Sequence, residues 1–135
     1  IRRSGRIAMS TTNGGNAVEF FATGQAGKAG SISVSGTTTT YGTSSDQRLK
    51  ENIADADDAG SKIDAIQVRK YDWKADGLHQ DYGMIAQELQ AVVPEAVSAP
   101  ENPDEMMAVD YSKLVPMLVK EIQTLRSRIT ALENA

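Results

Sequence analysis

The chain contains no cysteine and a single histidine, His79, among its 135 residues. Without cysteine it forms no disulfide, and thiol catalysis and thiolate metal sites are excluded. A single histidine excludes a multi-histidine zinc site, and a Ser-His-Asp triad within one chain would depend on His79 alone. We therefore expect neither a metal ion nor an organic cofactor.

Aromatic residues are also scarce, at 5% of the chain, whereas hydrophobic residues together make up 40%. This composition is typical of a globular protein but is thin for a self-sufficient core. Small domains, below roughly 70–80 residues, usually need a covalent staple or a partner. With disulfides excluded, oligomerisation is the remaining source of stability.

Positive charge is in short supply as well, because the net charge is −4 and the isoelectric point is near 4.9. A nucleic-acid-binding domain needs a basic patch, so no nucleic-acid partner is expected. No apolar run approaches the ~20 residues of a membrane span, so no membrane partner is expected either. The chain opens on Ile1 followed directly by charge, which predicts no signal peptide. Because it begins without methionine, we expect a piece of a longer protein.

Composition changes sharply about a third of the way along the chain. Residues 1–44 hold most of the glycines, a threonine run at 37–40 and one acidic residue, Glu19. Period-two alternation within residues 30–36 predicts a short strand, and residues 18–21 (VEFF) predict another. Disorder is one interpretation of a segment with so little apolar surface. The other is pairing with copies of itself in an interlocked β fibre.

Residues 45–135 are richer in charge and carry both helical and strand patterns. The patterns predict short helices at residues 61–66 and 86–93, short strands at residues 66–73, 82–85 and 107–109, and a long C-terminal helix. Pro94 is expected to end the second helix. The sequence thus predicts an α+β fold, with short β segments followed by a mixed α/β domain.

The clearest periodic signal lies in the C-terminal helix, for which Asp110 or Ser112 is the predicted N-cap. Apolar residues recur there at spacings of three and four, which places β-branched residues at heptad position a and leucines at position d. These six heptad residues are Val115, Leu118, Ile122, Leu125, Ile129 and Leu132.

Charged residues flank this stripe in a matching register. In a parallel coiled coil, Glu121 would face Arg126 of the next chain, and Arg128 would face Glu133. The alternative is an amphipathic helix packed on its own domain, but the matched flanks favour a coiled coil over about residues 112–134. By the choice of residues at a and d, the helix alone indicates a dimer.

A candidate catalytic pair, Ser45 and Lys50, lies where the composition changes. A serine hydroxyl becomes a nucleophile when a base removes its proton, and lysine is the natural base where no triad is available. A lysine acts as a base only in its neutral form, which requires desolvation or a nearby cation such as Arg48. Taken alone the pair is weakly specific, since residues 44–47 also fit a helix capping box.

Three sequence elements and the terminal coiled coil occur in the order of a known family. Residues 45–50 (SDQRLK) resemble the S-D-x-R-x-K signature of the C-terminal intramolecular chaperone domains of bacteriophage endosialidases, tailspikes, tail fibres and neck appendages. Residues 83–89 (GMIAQEL) resemble the family's G-x-I-A-Q-E-hydrophobic element, and residues 109–111 (VDY) resemble the V-D-Y before its final helix. A related self-cleaving domain occurs in membrane-bound myelin regulatory transcription factors. The resemblance covers residues 41–135.

This resemblance implies an autoproteolytic serine peptidase with a Ser-Lys dyad. Ser45 would be the nucleophile, Lys50 the general base, and the Ser44–Ser45 bond the one that is cut, once per chain. Asp46 and Arg48 would orient the loop rather than react.

The resemblance also implies a homotrimer, which overrides the dimer indicated by the helix. Residues 1–44 would be the C-terminal end of a fibre or tailspike β region. Residues 45–135 would be the chaperone domain, ending in a parallel trimeric coiled coil, with Glu88 in a structural role. The chaperone would act on the upstream fibre of the same polypeptide in the host bacterial cytoplasm and leave after cleavage, while the mature fibre stays on the virion tail. The alternative is a trimerisation module that never cuts.

Overall fold

The computed structural model of the chain describes residues 14–21 and 28–135. The chain is mixed α/β, with short antiparallel strands and a C-terminal helix, which confirms the predicted fold class at that level. It forms two compact units, Ile1–Ala54 and Asp55–Ala135. The predicted division into a fibre end at residues 1–44 and a chaperone domain at residues 45–135 stays a prediction. The parts of the predicted fibre segment at residues 1–13 and 22–27 lie outside the described residues.

A three-stranded antiparallel sheet makes up the described part of the first unit. Its strands, in sheet order, are β1 (Gly15–Phe21), β2 (Lys28–Ser35) and β3 (Thr38–Thr43). The strands predicted at residues 18–21 and 30–36 are confirmed. The threonine run forms part of a third strand, which no apolar alternation in the sequence predicts. Gly36 turns the chain between β2 and β3 with a φ of 55°, a left-handed value that glycine adopts without steric cost.

No described residue of this sheet is buried. One face carries the directly opposed side chains of Val18, Ile32 and Tyr41 across the three strands. Tyr41 nevertheless remains 77% exposed. A sheet buries its apolar face by packing a second layer against it, and the described residues of this unit supply no such layer.

The second unit alternates short helices with two antiparallel hairpins. Its elements are α1 (Gly60–Ala65), β4 (Arg69–Asp72), β5 (His79–Gly83), α2 (Ala86–Gln90), β6 (Val97–Ser98), β7 (Ala108–Val109) and α3 (Val115–Glu133). β4 pairs with β5, and β6 pairs with β7. Each predicted element of residues 61–135 is present, although most have shifted or shorter bounds.

α2 ends at Gln90, earlier than the predicted end at residue 93. Val93 has an extended φ of −134°, and a 3-10 turn follows at Pro94–Ala96. A residue before proline is sterically disfavoured from the helical region, so the restriction acts on Val93 as well as on Pro94. The helix therefore stops before the proline is reached.

A small core holds the second unit together. Its buried side chains are Leu89, Val93, Ala96 and Leu114. Half-buried side chains from β6, β7 and α3 surround them, among them Val97, Val109 and Met117. This core lies within one chain, so the second unit has a hydrophobic centre of its own, though a modest one.

Asp110 prepares the entry into α3. Its carboxylate caps a 3-10 turn, Tyr111–Leu114, by accepting from the Ser112 backbone N–H at 3.0 Å and from the Ser112 hydroxyl at 2.6 Å. These bonds hold the pKa of Asp110 below its usual range. Neither of the two residues predicted as N-cap of the C-terminal helix has that role: Asp110 caps the preceding 3-10 turn with Ser112 as its donor, and α3 begins after Leu114 without a side-chain cap.

α3 presents two different faces. Leu114, just before the helix, and Met117 pack on the core. Glu121 lies against α1, with one carboxylate oxygen buried and without a hydrogen-bond partner among the described residues. The predicted pairing of Glu121 with Arg126 of another chain thus depends on the other oxygen. The heptad residues lie outside this contact face, with exposures from 43% at Leu125 to 78% at Leu132.

Candidate active site

The residue on the fibre side of the predicted cleavage bond is tied to β2. Beyond the end of β3, the Ser44 backbone N–H donates to the Ala29 carbonyl at 2.9 Å. The Ser44 hydroxyl donates to the Lys28 carbonyl. Ser44 is thus held at two points by a strand that lies far from it in sequence.

A short 3-10 turn follows at once. Asp46 is the N-cap of the 3-10 turn Gln47–Leu49, and its carboxylate accepts from the Arg48 backbone N–H at 2.9 Å. The Lys50 backbone N–H donates to the Gln47 carbonyl at 3.0 Å and closes the turn. This turn brings the side chain of Lys50 back toward Ser45.

Lys50 Nζ lies 2.6 Å from Ser45 Oγ and donates a hydrogen bond to it. The structure therefore places in direct contact the two residues that the sequence nominates as a dyad. When the amine is neutral, the same pair can reverse the bond, so that the hydroxyl donates its proton to nitrogen, as general-base catalysis requires. Both side chains are exposed in the single chain, and neighbouring Leu49 is 63% exposed. In the single chain, Leu49 therefore does not shield the amine from water.

The two adjacent serines have different partners. The Ser44 hydroxyl is engaged by a backbone carbonyl, which has no basic function. The Ser45 hydroxyl contacts an amine. The hydrogen bonds thus distinguish the serines in the same way as the spacing to Lys50 does.

Asp46 and Arg48 form a closed ion pair within the turn. Arg48 Nε lies 3.0 Å from Asp46 Oδ1, and Arg48 Nη2 lies 2.8 Å from Asp46 Oδ2. The guanidinium holds the pKa of Asp46 below its usual range. The positive charge of Arg48, which the sequence offers as support for a lysine base, is therefore offset by Asp46, and the pair shapes the turn instead.

The second element of the family resemblance, residues 83–89, contains Glu88. Glu88, on α2, accepts two hydrogen bonds from the guanidinium of Arg69 on β4, at 2.8 and 3.0 Å. Arg69 lowers the pKa of Glu88. The interaction joins α2 to the β4–β5 hairpin, in line with the structural role predicted for Glu88. The contact of Arg69 with Glu88 could not be predicted from the sequence, because the two residues lie 19 positions apart.

His79 is bonded to carboxylates rather than to a serine. Its Nδ1 lies 2.6 Å from Asp72 Oδ1 across the β4–β5 pair, and its Nε2 lies 3.3 Å from Asp81 Oδ1. Among the hydrogen bonds of the described residues, none links His79 to a serine hydroxyl. A Ser-His-Asp triad is thus not formed in this part of the chain.

Across residues 14–21 and 28–135, no cluster of three or more histidine, aspartate or glutamate side chains is arranged to hold a metal ion. None of the helices in that same part of the chain combines the length and apolarity needed to cross a membrane.

The sequence of the chain is similar to known proteins. Residues 45–98 match a peptidase family described as chaperone of endosialidase. The chain is 32% identical over 97 residues to the long tail fiber protein Gp37 of Enterobacteria phage K3, covering 67% of this chain and 8% of that protein. Its identity to Gp37 of Enterobacteria phage T2 is also 32% over 97 residues, covering 67% of this chain and 7% of that protein. The chain thus spans less than a tenth of the length of these relatives. By this match, and in agreement with its phage tail fibre relatives, residues 45–98 belong to the chaperone-of-endosialidase family, a chaperone domain of phage fibres.

Proposed function

We propose that residues 45–135 are an intramolecular chaperone that trimerises, assists the folding of an upstream phage fibre or tailspike, and then releases itself by cutting the Ser44–Ser45 bond. Residues 1–44 are the end of that fibre. The observation that carries the proposal is the 2.6 Å contact between Lys50 Nζ and Ser45 Oγ, at the first residue of the family match.

The cleavage chemistry follows from the position of Ser45 on the amine side of the bond. Attack of Ser45 Oγ on the carbonyl carbon of Ser44 closes a five-membered ring. Neutral Lys50 accepts the hydroxyl proton and passes it to the Ser45 nitrogen as the carbon–nitrogen bond breaks, which leaves an ester. Water hydrolyses the ester, again with Lys50 as base. The products are a Ser44 carboxylate and a free amine on Ser45.

Assembly is the role of the heptad face of α3. The six heptad residues are solvent-exposed in one chain, while the core of the second unit is complete without them. Association of three helices in register reduces the entropic cost of aligning long, non-local β segments, which otherwise fold slowly and aggregate. The uncovered β1–β2–β3 sheet, with no buried residue, is the kind of segment that gains its second layer from other copies.

Assembly also supplies what the dyad lacks. A solvent-exposed lysine amine is protonated at neutral pH, so a lysine base needs a desolvated environment. Leu49 is 63% exposed and Ile53 is 64% exposed in the single chain. Neighbouring chains that cover these side chains would exclude water from the dyad. Cleavage then follows assembly and reports its success.

Once cut, the fibre has lost its covalent link to the chaperone. Its lifetime is then set by an unfolding barrier rather than by an assisted equilibrium. In this proposal, folding takes place in the host bacterial cytoplasm. The mature fibre is carried on the virion tail, as the names of the phage tail fibre relatives suggest.

A trimerisation module that never cuts is the second candidate. The exposure of both Ser45 and Lys50 in the single chain favours it, since none of the residues at 14–21 and 28–135 covers the amine. In that case the Ser45–Lys50 contact would serve only to close the turn.

One experiment separates the two. Wild-type protein, Ser45→Ala and Lys50→Ala are expressed in parallel and followed by intact mass, denaturing gel and sedimentation equilibrium. Self-cleavage predicts fragments ending at Ser44 and starting at Ser45 in the wild type only, with both variants whole and trimeric. A wild-type trimer that stays whole after prolonged incubation would leave only the non-cutting module.

A further inference from the structure

We propose that cutting of the Ser44–Ser45 bond is conditional on the pairing of β3 with β2, and that Ser44 is the positioning residue that couples the two. This inference rests on the self-cleavage proposed above. It concerns which folding event the cut reports.

The contact between Ser45 and Lys50 cannot report folding of the fibre end. It spans five residues, and the intervening turn is held by the local cap of Asp46. Every partner in this arrangement lies within residues 45–50. The dyad therefore forms whether or not the preceding sheet is in place. Any dependence of cutting on the sheet has to arise from a residue outside 45–50.

Ser44 is the residue that links the bond to be cut with the sheet. Its hydroxyl bonds a carbonyl 16 residues away, at Lys28, and its backbone N–H bonds the carbonyl of Ala29. Both carbonyls belong to the β2 end of the ladder, where the last paired residues are Gly30 and Thr43. These two bonds exist only when β3 has paired with β2 to its end.

The carbon that Ser45 attacks belongs to Ser44. The orientation of the Ser44 carbonyl relative to Ser45 Oγ is thus fixed on one side by the β2–β3 ladder and on the other by the turn. Reaction geometry is sensitive to small displacements, and a shift of about 1 Å costs roughly a hundredfold in rate. An unpaired β3 would leave Ser44 free to rotate while the dyad stays intact.

The ladder also continues to β1. Lys28, whose carbonyl holds the Ser44 hydroxyl, forms an ion pair with Glu19 on β1 at 3.3 Å. Phe21 of β1 is the residue paired with Lys28 in the sheet. The anchor of Ser44 is therefore set by the three-stranded sheet as a whole rather than by one hairpin.

Two glycines near this end of the ladder offer a matched pair of variants. A Cβ on Gly30 would lie 2.7 Å from the backbone carbonyl oxygen of Gly42, so Gly30→Ala forces β2 and β3 apart beside Ser44. A Cβ on Gly42 meets only Ser31 atoms, at 3.9 Å, which is ordinary contact. Gly42→Ala makes the same chemical change without displacing the strands.

The test measures the rate of cutting after pulse-labelled synthesis of the full chain, with sedimentation as a check on assembly. Ser44→Ala should slow cutting roughly tenfold, the effect of one hydrogen bond on a rate. Ser44→Thr keeps the hydroxyl and should restore the rate. Gly30→Ala should slow cutting by about a hundredfold, and Gly42→Ala should leave it unchanged.

A pH series gives an independent readout. Because Lys50 remains the base, Ser44→Ala should lower the rate at every pH without moving the midpoint of the profile. If assembled Ser44→Ala cuts at the wild-type rate, the inference is overturned while self-cleavage stands. The same holds if Ser44→Thr is as slow as Ser44→Ala. Should Gly30→Ala fail to fold, the two Ser44 variants alone decide. A wild type that never cuts refutes the proposed function instead.

Discussion

The ring of Tyr71 lies so close to Gly83 that a Cβ on residue 83 would be 2.7 Å from both Cε1 and the hydroxyl oxygen of Tyr71. Gly83 is buried, faces Arg69 in the β4–β5 ladder, and opens the second family element. Trp73 contacts the ring of Tyr71 edge-on, with centroids 5.3 Å apart. The glycine is therefore required by a close approach and not by an unusual backbone angle.

Replacing this glycine tests the packing directly. Gly83→Ala should lower the free energy of unfolding by about 1–3 kcal/mol, the usual cost of overfilling a packed site. Urea denaturation measures the change. In a Tyr71→Ala background the added methyl group has room, so the cost should nearly vanish there. An equal cost in both backgrounds would show that the ring is not the obstacle.

The cap and the ion pair of the active-site turn can be separated at Asp46. Asp46→Asn retains an N-cap side chain but loses the charge that pairs with Arg48, whereas Asp46→Ala loses both. If the cap is what presents Lys50 to Ser45, cutting should stay within about threefold of wild type in the first variant and fall roughly tenfold in the second. Time courses of intact mass measure both rates. Equal rates in the two variants would contradict a role for the cap.

Assembly through the heptad face is tested on neighbouring positions of α3. Ile122→Asp places a carboxylate in the stripe, and an unpaired buried charge costs several kcal/mol, so self-association should weaken by at least about a hundredfold. Gln123→Asp adds the same charge one position along and should leave association unchanged. Sedimentation equilibrium measures the difference. Circular dichroism should show that both variants stay folded, because the core of the second unit does not include Ile122.

The ion pair between Glu88 and Arg69 gives the second unit an acid-sensitive component. Arg69 depresses the pKa of Glu88, so the stabilisation is fully present above the unfolded carboxyl value of ~4.3 and is lost as pH falls through the folded value. Wild type should therefore exceed Glu88→Gln in unfolding free energy near neutral pH, and the gap should close in acid. Denaturation at a series of pH values measures it. Glu95→Gln, at an exposed glutamate, should show no such convergence; a gap for Glu88→Gln that persists in acid would refute the ion-pair account.

Much of the fold follows from local pattern. The alternation around Ile32 and the heptads of α3 are repeats within a few residues, and both elements occur where the sequence predicts them. Asp110 likewise indicates, through its capping side chain, the 3-10 turn that precedes α3. The early end of α2 is different, because it depends on how Pro94 restricts Val93 rather than on Pro94 itself. The inward face of α3 is also hidden, since the more regular outward stripe dominates the periodicity.

The candidate site, like the fold, can be predicted only in part from the sequence. The residue types and spacing of Ser45 and Lys50 are visible in the sequence, and the family signature singles them out. The anchoring of Ser44 is not visible, because its acceptors are backbone carbonyls, which every residue carries. The neutralisation of Arg48 by Asp46 depends on the conformation of the turn. The candidate reacting groups are thus easier to predict from the sequence than the contacts that orient them.

The two bonds from Ser44 to β2 have a consequence for the products of cleavage. Within residues 28–54, the hydrogen bonds of Ser44 run back to Lys28 and Ala29, while those of Asp46 and Lys50 run within the turn ahead of the bond. Hydrolysis between the two sets would remove a covalent link without removing a hydrogen bond from either side. The new carboxyl terminus would stay fastened to the sheet, leaving no loose end from which fraying or exopeptidase digestion could begin.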